Sequence, residues 1–127
     1  MKGMEMKFYV CDICGQTVAM VEETGADLIC CGEKMRLMTP NTVDASIEKH
    51  VPVVEYEDDK IIVTVGSLLH PMTDAHYIKW IAIQTQNGNQ RKQLKPNDEP
   101  KVCFNTCPND RLIAVYAYCN LHGLWKA

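Results

Sequence analysis

Apolar positions along this chain fall in short runs separated by turn residues, at residues 50–56, 60–65, 77–86, 90–95, 101–104 and 111–118. The runs are rich in Val, Ile, Tyr and Thr and show no sustained helical period, so strands are expected. Asn87-Gly88, between two of them, is a two-residue hairpin signal. Six or seven strands in roughly 90 residues predict an antiparallel β-sandwich. Cys119 is in phase with Ile113, Val115 and Ala117, which puts its sulfur on the inner face of the last of these strands. Residues 77–83 are apolar on both strand faces over most of their length, so one face is expected on the core and the other against a second subunit. A homodimer is the resulting expectation.

Residues 1–38 have a different character. They carry four of the seven cysteines and none of the four histidines, and Pro40-Asn41 supplies a turn signal at their end. A segment this short cannot bury enough apolar surface to fold alone and needs a staple, which the cysteines would provide. The expected organisation is all-β, with a small metal-stapled module over 1–38 and the sandwich over 39–127.

Hydrophobic residues make up 46% of the chain and charged residues 23%, a globular balance. The formal net charge of −3 leaves no broad basic surface for a nucleic-acid backbone or an anionic bilayer. The first residues lack the apolar core of a secretory signal, and the longest apolar stretch, 112–119, is too short to span a membrane. The expected location is the cytoplasm, where an odd number of cysteines points to metal ligation or redox chemistry rather than a disulfide framework.

Cys11-Asp12-Ile13-Cys14-Gly15 is a C-x2-C knuckle, and Cys30-Cys31-Gly32 supplies a second pair. Together they predict a four-thiolate site. A zinc ribbon normally spaces its second pair as C-x2-C, whereas neighbours in an extended segment point to opposite sides, so drawing Cys30 and Cys31 onto one ion should widen the angle between their sulfurs and distort the tetrahedron. Ligand type alone leaves iron and zinc open.

The histidines are His50 in Glu48-Lys49-His50-Val51-Pro52, His70 and His76 in His70-Pro71-Met72-Thr73-Asp74-Ala75-His76, and His122 in Cys119-Asn120-Leu121-His122-Gly123. The C-x2-H pair at the end of a strand suits a metal ion, and a buried thiolate needs a cation. Two readings compete. A sandwich with a late Cys and His is reminiscent of blue-copper carriers, but no methionine follows His122 to act as the weak axial ligand. The other reading is iron(II) held by all four imidazoles and Cys119, with a sixth position open.

The order C-x2-C-G, C-C-G, E-K-H-V-P, H-P-M-x3-H and C-N-L-H-G-L-W-K resembles the desulfoferrodoxins, the two-iron class of superoxide reductases, over nearly the whole chain. The resemblance implies a desulforedoxin-like module with iron on Cys11, Cys14, Cys30 and Cys31. It also implies an immunoglobulin-like sandwich with iron on His50, His70, His76, His122 and Cys119, homodimeric assembly, superoxide as substrate and an electron donor such as rubredoxin. Glu48 is implied as the carboxylate that caps ferric iron after product leaves. Lys49 is the candidate for attracting the anion and orienting a water for proton delivery. In a regular strand Glu48 and Lys49 would point apart, so a mobile loop is expected before Val51. Cys103 and Cys107 lie outside the family pattern and are expected as free thiols in or near a loop ahead of Pro108, against the alternatives of a local disulfide or an accessory redox pair. The rival is a non-enzymatic electron-transfer or metal-binding protein.

Overall fold

The computed structural model describes residues 5–127, and the one helix among them is a four-residue turn, α1 (Ile47–His50). Two compact units divide the chain, one ending at Thr39 and the other spanning Pro40–Ala127.

In the first unit, β1 (Phe8–Val10) is flanked by β2 (Thr17–Ala19) and β5 (Arg36–Leu37) in an antiparallel sheet of order β2-β1-β5, while β3 (Ile29–Cys30) and β4 (Glu33–Lys34) form a separate hairpin. The knuckle joins β1 to β2. Gly15 turns it in the left-handed region, φ +82°, where a side chain would be strained, and its N–H donates to Cys11 O at 2.8 Å. Buried apolar side chains here are few: Phe8, Val10, Cys11, Met35 and Met38.

The second unit has seven strands in two antiparallel sheets: β6 (Pro52–Glu57), β7 (Lys60–Val65), β8 (Ile78–Thr85), β9 (Gly88–Gln93), β10 (Lys101–Asn105), β11 (Leu112–Cys119) and β12 (Gly123–Lys126). The sheets have orders β10-β7-β6 and β12-β11-β8-β9. One core cluster draws Ile61, Val63 and Val65 from β7 and Phe104 from β10 together with Ile78, Ile81 and Ile83 from β8 and Val115, Ala117 and Cys119 from β11. Side chains of both sheets thus interdigitate, which is the sandwich the alternating runs predicted.

The structure departs from four sequence expectations. The hairpin between β8 and β9 closes on Gln86-Asn87, with Thr85 opposite Gly88, because the Asp110 carboxylate accepts from Thr85 Oγ1 at 2.9 Å and from Asn87 N at 3.1 Å and so fixes the turn one residue earlier. Ile113 falls where the β8–β11 register shifts and is 39% exposed, so it does not share the inner face of Val115, Ala117 and Cys119. On β8, Trp80 and Ala82 are buried alongside Ile81 and Ile83, and Trp80 stacks on Tyr118 at 5.4 Å, so this second apolar face does not by itself call for another subunit. The strand expected from residue 50 starts at Pro52, since the residues before it take the α1 turn.

Candidate metal centres

Cys11, Cys14, Cys30 and Cys31 bring their sulfurs within 4.8 Å of one another. The knuckle supplies the first pair, with Cys14 N donating to Cys11 Sγ at 3.5 Å. The second pair converges because Cys31 leaves the extended conformation of β3 for φ +54°, followed by Gly32 at +77°, which swings its sulfur round to the side of Cys30. A tetrahedron with metal–sulfur bonds of about 2.3 Å has edges of about 3.8 Å. The Cys14–Cys30 edge is 3.6 Å and the Cys30–Cys31 edge 4.0 Å, so the adjacent pair is the wider. Backbone N–H groups from the knuckle lower the Cys11 thiol to about 7, while hydrogen bonding to Cys11 and Cys14 pushes Cys30 up to about 12. A cation between the sulfurs would favour their thiolate forms together. Asp12, inside the knuckle, accepts Arg36 Nε and Nη2 at 3.1 and 3.0 Å, tying the knuckle to β5 and holding the Asp12 carboxyl below its usual range.

In the second unit the four imidazoles form a ring. Going round it, centroids are separated by 4.7 Å (His50–His70), 4.6 Å (His70–His76), 5.0 Å (His76–His122) and 4.9 Å (His122–His50), and each neighbouring pair is edge-to-face. His50 and His76, across the ring, are 6.3 Å apart and tilted by only 31°. Cys119 joins the ring: its sulfur lies 3.9 Å from His122 Nδ1, and the ligand atoms of His50, His76, Cys119 and His122 all lie within 4.8 Å of one another. His70 takes part through its Nε2, 3.2 Å from that of His50, but lies outside this group of mutually close ligand atoms.

Each ligand has a local reason for its place. His50 ends α1, His70 and His76 bound the loop between β7 and β8, and Cys119 and His122 frame the tight β11–β12 turn, where His122 N donates to Cys119 Sγ at 3.4 Å. His50 Nδ1 lies 2.6 Å from Ser46 O and His70 Nδ1 2.6 Å from Pro71 O. A carbonyl only accepts, so both Nδ1 atoms carry the proton and both Nε2 atoms present lone pairs. Those two Nε2 atoms stand 3.2 Å apart with no proton available between them. His76 Nε2 is buried with no hydrogen-bond partner. Burial lowers the pKa of His50 and His76 and takes His70 down to about 4, so these three rings are neutral ligands at neutral pH, while burial raises the Cys119 thiol. Converging lone pairs, an orphaned buried nitrogen and a desolvated sulfur fit a cation of borderline softness, as iron(II) is.

Glu48 and Lys49 are exposed on α1, immediately before His50. The expected loop is instead a helical turn, and this removes the difficulty of alternating sides: successive helical side chains diverge by about 100° rather than 180°. The Lys49 charge contributes, after burial and the neighbouring rings, to lowering both His50 and His76. The turn is held from behind. Leu68 N and Ser67 Oγ donate to Glu48 O at 2.9 and 3.1 Å, and a Cβ on Gly66 would stand 2.6 Å from that oxygen and 3.0 Å from Lys49 C.

Cys103 is half-buried on β10 opposite Ile62, and Cys107 is exposed in the following loop beside Lys60 and Arg111; both are free and neither approaches the imidazole ring. Sequence reasoning assigned no part to Gly66 or to Trp125, which stacks on His50 at 4.8 Å. The signals were a glycine closing a β-branched run and the tryptophan of C-N-L-H-G-L-W-K.

Two family models match the chain, desulfoferrodoxin over residues 42–127 and the desulfoferrodoxin N-terminal domain over residues 4–38. The chain is 48% identical over 122 residues to a desulfoferrodoxin homolog of Archaeoglobus fulgidus, covering 96% of each, and 43% identical over 123 residues to the desulfoferrodoxin of Syntrophotalea carbinolica, covering 97% of this chain and 96% of that one. The crystal structure of the superoxide reductase from Treponema pallidum superposes with a TM-score of 0.83 at 37% identity, covering 98% of this chain and 99% of the other. The chain belongs to the desulfoferrodoxin family.

Proposed function

We propose that this protein is a superoxide reductase that binds two irons per chain, one on Cys11, Cys14, Cys30 and Cys31 in the module 1–38 and one on His50, His70, His76, His122 and Cys119 in the sandwich 39–127. The observation that carries the reading is the ring of four imidazoles with a buried sulfur beside it. Five protein donors leave a six-coordinate ion one position for a small anion. Held by these residues, iron would supply the single electron that, with two protons, converts superoxide to hydrogen peroxide.

The chain's own residues do the rest. The Nδ1–H bonds to Ser46 O and Pro71 O hold His50 and His70 in the tautomer that ligates and fix their ring planes. Cys119, buried among Val115, Ala117 and Ile78, keeps water from the sulfur and places an electron-rich donor beside the imidazole ring. Lys49, exposed at the end of α1, draws the anion in against the repulsion of a net charge of −3 and orients a water that delivers protons. Glu48, exposed on the same turn, would be the carboxylate that the family resemblance implies as a ligand for the oxidised iron.

Superoxide is consumed by one-electron reduction, so an external donor is required; a rubredoxin as donor and a homodimer as assembly are what the family resemblance supports. The location we assign is the cytoplasm, where cysteines stay reduced and available to metals. Pulse radiolysis of the reduced, iron-loaded protein tests the activity. One hydrogen peroxide should form per superoxide consumed, with no oxygen released. Oxygen release in dismutation stoichiometry, or no acceleration of superoxide loss, refutes it.

A further inference from the structure

We infer that Trp125 is a positioning residue of the four-histidine, one-cysteine site, whose indole holds the ring of His50 and the backbone of His122 in one fixed relation. The inference rests on that site's assignment. His50 and His122 are 72 positions apart, yet His50 Nε2 and His122 Nδ1 meet at 3.1 Å. Trp125 touches both residues. Its ring lies on the face of His50, centroids 4.8 Å apart and planes 29° from parallel, and its Nε1–H donates to His122 O at 3.1 Å. The residue is 1% exposed on β12, in register with Ala117 of β11.

The two contacts do different things. An imidazole turns softly about its last torsion. The Ser46 carbonyl fixes one edge of His50, and only a flat neighbour on the face stops the ring from tilting about that hydrogen bond. The indole supplies that neighbour. The N–H bond, meanwhile, satisfies a carbonyl inside the Cys119–His122 turn and so ties the turn to the plane on which His50 rests. A residue shared by two adjacent ligands sets the angle between them, and partners of this kind typically contribute 10–100-fold in metal affinity.

The test uses the full-length chain stripped of metal, with zinc(II) as a diamagnetic probe, followed by the ring nitrogen resonances of the four histidines. Trp125→Phe keeps a flat face without the N–H; Trp125→Leu removes both. The expected result is zinc affinity at the histidine site, measured against a competing chelator, lowered by about tenfold or more in Trp125→Leu and by less in Trp125→Phe. Affinity at the four-thiolate site should be unchanged in both. In the iron-loaded proteins, the ferric EPR line shape of the histidine site should change in the same order. If zinc moves none of the four histidine rings in the parental chain, the site assignment itself fails. If it moves them but Trp125→Leu keeps the parental affinity and line shape, Trp125 is ordinary core and the inference is overturned. Should Trp125→Leu not fold, Trp125→Phe decides: a parental line shape together with a parental affinity overturns it.

Discussion

Gly66 offers the most direct way to move the site without touching a ligand. A Cβ at this buried position would lie 2.6 Å from Glu48 O, 3.0 Å from Lys49 C and 3.1 Å from Val51 O. All three are backbone atoms, so no side chain can swing aside. Ordinary contact begins at 3.4 Å, and the shortfall at Glu48 O is therefore 0.8 Å (3.4 less 2.6), which the α1 turn or the strand end must yield. Either way His50 moves relative to His70, because His70 N is bonded to Val65 O at 2.9 Å while Leu68 N is bonded to Glu48 O. Overpacking of this kind costs about 1–3 kcal/mol of stability. A displacement approaching 1 Å at a reacting geometry costs on the order of 10²-fold in rate. Gly66→Ala, purified with both irons, should therefore melt earlier and react with superoxide about 10–100-fold more slowly in pulse radiolysis. The visible spectrum of the four-thiolate centre serves as an internal control and should not change. A Gly66→Ala protein with parental rate and parental melting temperature would show that the backbone here yields freely, and the reasoning would be wrong.

Three further outcomes are expected. Cys119→Ser should retain the sandwich but lose the thiolate-to-iron absorption and most of the turnover; an iron-loaded variant working at the parental rate contradicts the role of the sulfur. Lys49→Ala should slow the second-order step with superoxide and flatten its dependence on ionic strength, since a local charge acts within about 8 Å at physiological salt; an unchanged salt slope speaks against steering. In the metal-stripped protein, burial holds His70 at about 4 against an ordinary 6.5, so between these pH values the unfolded chain binds more protons than the folded one. Stability contributed by the neutral ring is full above 6.5 and is lost as pH falls towards 4; urea midpoints across this window should drop less in His70→Gln, and equal drops would exclude the histidine as the cause.

Strand placement was legible in the second unit because period-two patterning and turn residues coincide there: β7 matches the expected run at both ends. The departures arise where a single polar group overrides the pattern. Asp110 accepts from Thr85 and Asn87 and draws the β8–β9 turn back by one residue, an effect acting across more than twenty positions that no local signal announces. α1 is too short to show a period at all. The convergence of the sulfurs of Cys30 and Cys31 was readable as a requirement but not as a mechanism, since the left-handed turn at Cys31 has no sequence marker beyond the glycine that follows. The spacing of the imidazoles named the candidate ligands, whereas the supports that orient them, Ser46 O, Pro71 O, Trp125 and Gly66, are backbone atoms, an aromatic ring and a missing side chain.

The sulfur and the imidazoles stand on different footings. Cys119 closes an inner strand, hydrogen-bonded on one side to β12 and on the other to β8, while His50 ends the four-residue α1 turn and His70, His76 and His122 sit in connecting segments. Connecting segments open locally at far lower free energy than strands inside a sheet. Demetallation by acid or a chelator should thus begin at the rim, ring by ring, with the thiolate the last to let go. The same asymmetry gives reloading a starting point: a strand-borne sulfur onto which the imidazoles can close again in any order.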